Sequence, residues 1–74
     1  MKKTENIVRF EYWGQEYVLM VNYLGSLAQS FNADLILFGV ELSNLNKNCL
    51  APIEIYKKAE EFFVDKGYEV FAMK

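Results

Sequence analysis

The chain contains one cysteine, Cys49, and no histidine, and this shortage of cross-linking side chains limits its possible folds more than any other feature. A lone cysteine forms no disulfide within its own chain, and structural zinc sites are built from cysteine and histidine. Folding of a chain of only 74 residues hides about 60% of the surface that the unfolded chain exposes. We therefore expect a thin apolar core to supply the stability, and we expect a cytoplasmic location.

The missing histidine also removes several classes of catalytic site. It takes away the commonest general base and both the Ser-His and the Cys-His nucleophile pairs. The four glycines are isolated from one another, so neither a GxxxxGK nor a GxGxxG phosphate loop is present. Carboxylates and lysines at i, i+4 spacing, such as Glu54 and Lys58, are typical of a solvated helix face. We expect no enzyme activity, no cofactor and no metal ion.

The first residues of the chain are polar and include two lysines, and no long apolar run follows them. No stretch of 18 apolar residues occurs anywhere in the sequence. The sequence therefore predicts neither a secretion signal nor a membrane span. We expect residues 1–6 to be flexible.

Two β-rich runs between residues 7 and 22 flank Gly14 and Gln15, and this pattern predicts a hairpin. Glycine at the first turn position suits a type II′ turn, which would set Trp13 opposite Glu16 and Tyr12 opposite Tyr17. In that register one face of the hairpin is apolar throughout, with Val8, Phe10, Tyr12, Tyr17, Leu19 and Val21. The opposite face is mixed, with Ile7, Arg9, Glu11, Trp13, Glu16, Val18 and Met20.

The remaining elements are predicted from apolar spacing and from glycine and proline positions. In order, they are a helix over residues 23–31, a central strand over residues 35–40, a loop over residues 43–51, a helix over residues 52–66 and a strand over residues 68–73. The order ββαβαβ predicts one α+β domain over residues 1–74, with a mixed four-stranded sheet and two helices packed on one face. The second helix would be a right-handed crossover between parallel third and fourth strands.

The aromatic residues suggest a binding surface, because a thin core does not easily hide six phenylalanines, five tyrosines and one tryptophan. On the mixed hairpin face, Trp13, Val18 and Met20 would form an apolar patch with a charged rim. Tryptophan, methionine and arginine are enriched at protein interfaces. The candidate partner-binding residues are Arg9, Glu11, Trp13, Glu16, Val18 and Met20. Alternatively, a terminal segment covers this face, Trp13 shields the turn, or a second copy docks there.

These features favour a cytoplasmic, non-enzymatic protein-interaction module, a regulator or inhibitor that occupies a surface of a larger protein. Its most specific version is a phage or mobile-element inhibitor of a host defence complex that handles nucleic acid. The alternative is a structural homo-oligomer, or an accessory subunit of a permanent assembly. Direct nucleic-acid binding is disfavoured, because Arg9 is the only arginine and the formal net charge is −2. Cys49 has no histidine or second cysteine that would activate it, and Leu50 beside it suggests an apolar loop contact.

Overall fold

The computed structural model describes residues 6–24 and 31–73 of the chain. In chain order, its elements are strand β1 (Asn6–Tyr12), strand β2 (Gln15–Tyr23), helix α1 (Phe31–Leu45), a 3₁₀ turn (Asn46–Asn48), helix α2 (Pro52–Asp65) and strand β3 (Tyr68–Met73). Strand β2 lies in the middle of the sheet and pairs antiparallel with both β1 and β3. Over these described residues, the protein is therefore a small α+β domain with two helices and a three-stranded antiparallel sheet. Asn6 is the first residue of β1, and residues 1–5 of the segment expected to be flexible lie outside the described residues.

The prediction of a central strand over residues 35–40 is wrong, because these residues form the middle of α1. Phe38 and Leu45 are buried in the core, and Phe31, Leu35 and Leu42 pack against it. These five residues are three or four positions apart, which places them along one side of a helix. The predicted mixed sheet, its fourth strand and the parallel crossover are wrong for the same reason, since α2 leads into a strand that is antiparallel to β2.

The predicted helix over residues 23–31 and the predicted loop over residues 43–51 also need correction. Tyr23 is the last residue of β2 and Phe31 is the first residue of α1, while residues 25–30 lie outside the described residues. Residues 43–45 complete α1, and the 3₁₀ turn follows directly. Cys49 then adopts a left-handed conformation with φ of 49°. The link between the two helices therefore covers residues 46–51, three residues fewer than the predicted loop.

The predictions of a helix after Pro52 and of a strand after Gly67 are confirmed. Pro52 begins α2, where its missing N–H has no helical partner to lose. Ile55, Ala59 and Phe63 are buried along one side of the helix. Gly67 has φ of 96°, and a Cβ added there would lie 3.1 Å from the ring of Tyr23. Glycine therefore serves both the backbone turn and the close approach of the tyrosine.

The hairpin forms, but its turn is one residue earlier than predicted. Trp13 and Gly14 have φ of 51° and 77°, so both central residues of the turn are left-handed, as a type I′ turn requires. Tyr12 pairs with Gln15, and Phe10 pairs with Tyr17. Moving the turn by one residue shifts the partner of each β1 residue by two positions, which leaves every side chain of the two strands on its predicted face and moves only Trp13 into the turn. The prediction of the apolar face is therefore confirmed, and the predicted pairs are wrong.

Both helices pack on the apolar face of the sheet. The ring of Phe38 on α1 meets Phe10 edge-on at 5.1 Å between centroids, and Tyr56 on α2 meets Tyr17 at 4.9 Å. Phe10 and Tyr17 are themselves stacked at 5.1 Å across the hairpin. The core therefore lies between one face of the sheet and the helical layer.

Candidate functional site

The face of the sheet opposite the helices, called the outer face below, carries five of the six candidate residues. Along this face Arg9 pairs with Val18, and Glu11 pairs with Glu16. Met20 follows Val18 on β2 at the next outward position and pairs with Ile7. The three charged residues are exposed, and Val18 and Met20 are half-buried. The structure thus brings Arg9, Glu11, Glu16, Val18 and Met20 together.

The sixth candidate, Trp13, lies in the turn and does not join the outer face. Its indole Nε1 donates a hydrogen bond of 3.0 Å to the carbonyl oxygen of Asn46, in the 3₁₀ turn that follows α1. The indole is therefore directed toward the helical layer, although the residue remains 60% exposed. This geometry matches the alternative in which Trp13 shields the turn, and it corrects the grouping of Trp13 with Val18 and Met20.

An apolar row crosses all three strands on the outer face, and it includes two residues that sequence reasoning left out of the site. Ile7 pairs with Met20, which in turn pairs with Ala72 of β3. Val70 pairs with Val21, so Phe71 is an extra residue between the two pairs and forms a bulge. Ile7 is 49% exposed and Phe71 is 44% exposed. The outer face thus combines an apolar row of Ile7, Met20 and Phe71 with the charged residues nearer the turn.

Among the described residues, the charges of the outer face are mostly negative. Glu11 and Glu16 face each other directly across the hairpin, one pair away from the turn. In such a position the Cα atoms are roughly 4.5 Å apart, and like charges there are destabilising. Glu69 adds a further carboxylate on β3, while Arg9 supplies a positive charge. The sheet therefore carries an unfavourable charge pair on its outer face.

The sequence did contain a signal that Phe71 belongs to the site. Alternation along the last strand places Phe71 on the same face as Glu69. Ile7 lies on the mixed hairpin face that the sequence predicts, although the candidate site does not include it. Three exposed apolar residues of α1 had no such signal, since their segment was assigned to a buried strand. They are Ile36, Leu37 and Val40.

The groups that could perform chemistry are dispersed in the described part of the chain. Within residues 6–24 and 31–73, no group of three or more Cys, Asp or Glu side chains lies close enough to hold a metal ion. Cys49 is exposed, and Leu50 beside it packs against the core as expected. Two depressions lie on the outside of α2. The first is lined by Lys57, Glu60, Glu61, Val64 and Asp65. The second is lined by Ile53, Tyr56, Lys57 and Glu60. Each is formed by successive turns of one helix.

A buried carboxylate links α1 to β3. The hydroxyl of Tyr68 donates a hydrogen bond of 2.7 Å to Oδ2 of Asp34, and both residues are buried. Burial raises the pKa of Tyr68 well above its usual value, and the hydrogen bond to Asp34 and the nearby charge of Asp34 raise it further. Because Tyr68 keeps its proton, its hydroxyl continues to donate the hydrogen bond that joins β3 to α1.

The raised pKa of Tyr68 predicts a loss of stability at alkaline pH. An unfolded tyrosine loses its proton near pH 10, whereas the folded state retains the proton of Tyr68. Above about pH 10 the folded state therefore binds more protons than the unfolded state. The contribution of Tyr68 to the free energy of unfolding is constant at neutral pH, and it falls by up to about 1.4 kcal/mol per pH unit above about pH 10. Urea unfolding between pH 8 and pH 11 should show a smaller alkaline loss for Tyr68→Phe than for the wild type. Equal losses in the two proteins would contradict this assignment, and Tyr56→Phe, at a half-buried tyrosine, is the matched control.

Comparison of the chain with protein-family models, with curated proteins and with solved structures found no match. Among the helices that the structure describes, none has the length and apolar character needed to cross a membrane. The functional argument therefore rests on the surface of the domain.

Proposed function

We propose that the protein is a non-enzymatic protein-interaction module, a regulator or inhibitor that acts by covering a surface of a larger protein with its outer face. The observation that carries this proposal is the apolar row of Ile7, Met20 and Phe71 on the sheet face opposite both helices. An antiparallel sheet with one packed face usually presents polar residues on the other. Here each of the three strands presents an apolar residue instead.

The composition of the outer face resembles that of a transient interface. Such interfaces combine an apolar centre with a polar rim, and they are enriched in aromatic residues, methionine and arginine. The outer face has Met20 on its middle strand and Phe71 on the neighbouring strand β3, and it has Arg9 and the paired glutamates toward the turn. This arrangement supports binding to a protein surface better than it supports the binding of a small molecule.

The negative charges indicate the kind of partner. Glu11 and Glu16 repel each other in the free protein, and a positively charged group between them would turn this repulsion into attraction. We therefore propose a partner surface with an apolar centre and lysine or arginine residues at its edge. Proteins that handle nucleic acid carry such basic surfaces, so an inhibitor of such a protein remains the most specific form of the proposal.

The test compares two isoleucines that are both exposed but lie on different surfaces. Ile7→Glu places a charge within the apolar row and is expected to weaken partner binding by at least about tenfold. Ile53→Glu makes the same change on α2, where Ile53 is 78% exposed, and is expected to leave binding unchanged. The tagged proteins are used to capture partners from host lysate with and without nuclease treatment, and the affinity for the purified partner is then measured by calorimetry.

The proposal requires a stoichiometric partner that is retained by Ile53→Glu and lost by Ile7→Glu while both variants keep the wild-type circular dichroism spectrum. Met20→Glu provides a second test at the middle of the row. Equal capture by the wild type, Ile7→Glu and Ile53→Glu, or the absence of any stoichiometric partner, would refute a role for the outer face. Capture that disappears with nuclease would point to nucleic acid in place of a protein surface.

A further inference from the structure

Helix α1 has a second apolar side that points away from the core. Ile36, Leu37 and Val40 are 70%, 47% and 57% exposed, and with Ala33 they follow the i, i+3, i+4, i+7 spacing of one helix face. We call these four residues the α1 stripe. The two charged residues of the helix, Asp34 and Glu41, are buried and half-buried respectively. In α1, whose residues are all described, no fully exposed position carries a charge.

An apolar side of this kind is unusual for a helix in contact with water. A surface helix normally presents polar or charged residues on the side opposite the core, whereas α1 presents Ile36, Leu37 and Val40 there. Gly39, next to Val40 in the sequence, is a second unusual feature of α1. Glycine in the middle of a helix lowers the stability by about 1 kcal/mol relative to alanine. A Cβ at Gly39 would have no atom of the described chain within 4 Å, so packing within the domain does not explain the glycine. A closely approaching helix from another chain would explain it.

We propose that the α1 stripe pairs with the α1 stripe of a second copy of this chain, forming a symmetric dimer. In a two-fold symmetric contact the same patch meets itself, so the patch must tolerate its own charges. The stripe meets this condition because it has none, whereas the acidic outer face would repel its own copy. An antiparallel arrangement of the two helices also aligns their dipoles favourably.

The composition of the α1 stripe favours a second copy over other occupants. Homodimer interfaces are more apolar than transient interfaces, which are enriched in tyrosine, tryptophan and arginine. The stripe consists of aliphatic side chains only. A helix that binds an anionic membrane surface typically carries lysine or arginine beside its apolar side, and α1 has neither.

The length of α1 limits the area that the dimer contact can bury. A helix of 15 residues is about 22 Å long. Two such helices packed side by side bury an area at the lower end of specific interfaces, below roughly 1,200 Å² in total. Contacts of this size are typical of weak association, so we expect a dimer that dissociates on dilution.

Such a dimer leaves the outer face free. The stripe lies on the outside of the helical layer, and the outer face lies on the opposite side of the sheet. The two copies would hold their outer faces apart, so one dimer could engage two partner surfaces. Dimerisation does not depend on the proposed partner, and each interaction can be tested with the other surface intact.

The experiment measures sedimentation of the full chain at concentrations from about 1 µM to about 1 mM. The wild type is expected to shift from the 8.7 kDa monomer toward twice that mass. Ile36→Lys sets two like charges against each other at the dimer contact and is expected to raise the dissociation constant by at least about tenfold. Ile53→Lys makes the same change at an exposed isoleucine of α2 and is expected to dimerise like the wild type. Circular dichroism verifies that both variants are folded.

Two results would overturn the proposal. A wild type that stays monomeric over the whole range shows that the stripe does not bind a second copy and leaves another protein as its occupant. A dimer that Ile36→Lys and Ile53→Lys weaken equally shows that the contact lies elsewhere. Ile7→Glu leaves the stripe intact and should dimerise normally, so failure of the dimer and failure of the outer face are separate outcomes.

Discussion

Replacing Phe63 with alanine is expected to unfold most of the protein at room temperature. Phe63 is fully buried, and its ring lies 5.1 Å from Phe38, 5.2 Å from Phe62 and 5.5 Å from Tyr68. Removing a buried phenylalanine costs about 3–5 kcal/mol, through lost burial and the cavity left behind. The single core of a domain of this size supplies about 3–5 kcal/mol. The substitution therefore removes most or all of the stability.

The measurement is the circular dichroism signal of the purified variant, followed by urea unfolding of any folded fraction. Phe71→Ala is the matched control, because it removes the same ring from an exposed position on the outer face. It is expected to change the free energy of unfolding by less than about 1 kcal/mol. A cooperative unfolding transition for Phe63→Ala close to that of Phe71→Ala would show that the core does not depend on this ring.

Helix α1 shows why part of the fold could not be predicted from the sequence. Its inner side and the α1 stripe are both apolar, so together they produce an unbroken apolar run over residues 35–40. Such a run is also typical of a strand buried on both faces, and period alone does not separate the two. The spacing of Phe31, Leu35, Phe38, Leu42 and Leu45 did carry the helical signal. The exposed stripe that obscured the helix is the same feature that indicates an interface.

The hairpin shows which part of the prediction was robust. Faces follow from strict alternation, and a shift of two positions preserves them, so the apolar face was predicted correctly from the wrong turn. The turn itself depends on whether Trp13 accepts a left-handed backbone, which costs roughly 1–2 kcal/mol for a residue other than glycine. The hydrogen bond from its indole to Asn46, 33 positions along the chain, helps to offset that cost. No local pattern contains this contact.

The candidate site was predicted in part for the same reason. Five of its six residues share a sheet face, and a face is what alternation can predict. Trp13 departs from the group because a long-range contact places it. Phe71 joins the face through a bulge in β3, whose pairing with β2 became clear only once α1 was known to be a helix.

Tyr12, next to Trp13, is expected to give the second large effect on stability. Its hydroxyl donates a hydrogen bond of 2.6 Å to the carbonyl oxygen of Leu45 and accepts one of 2.9 Å from the N–H of Leu50. The side chain is buried, so Tyr12→Phe takes a partner from the carbonyl group of buried Leu45 and from the N–H of half-buried Leu50. We expect a loss of about 2 kcal/mol in the free energy of unfolding.

Urea unfolding of Tyr12→Phe and of the control Tyr56→Phe measures this difference, since the hydroxyl of Tyr56 sits on a half-buried side chain. Amide hydrogen exchange provides a local test, because the N–H of Leu50 should exchange at least about tenfold faster in Tyr12→Phe. Unchanged protection of Leu50 would mean that the hydroxyl does not hold the end of α1. If the prediction is correct, Tyr12 fixes the segment after α1 to the hairpin, and its hydrogen bonds help to hold the 3₁₀ turn that receives the indole of Trp13.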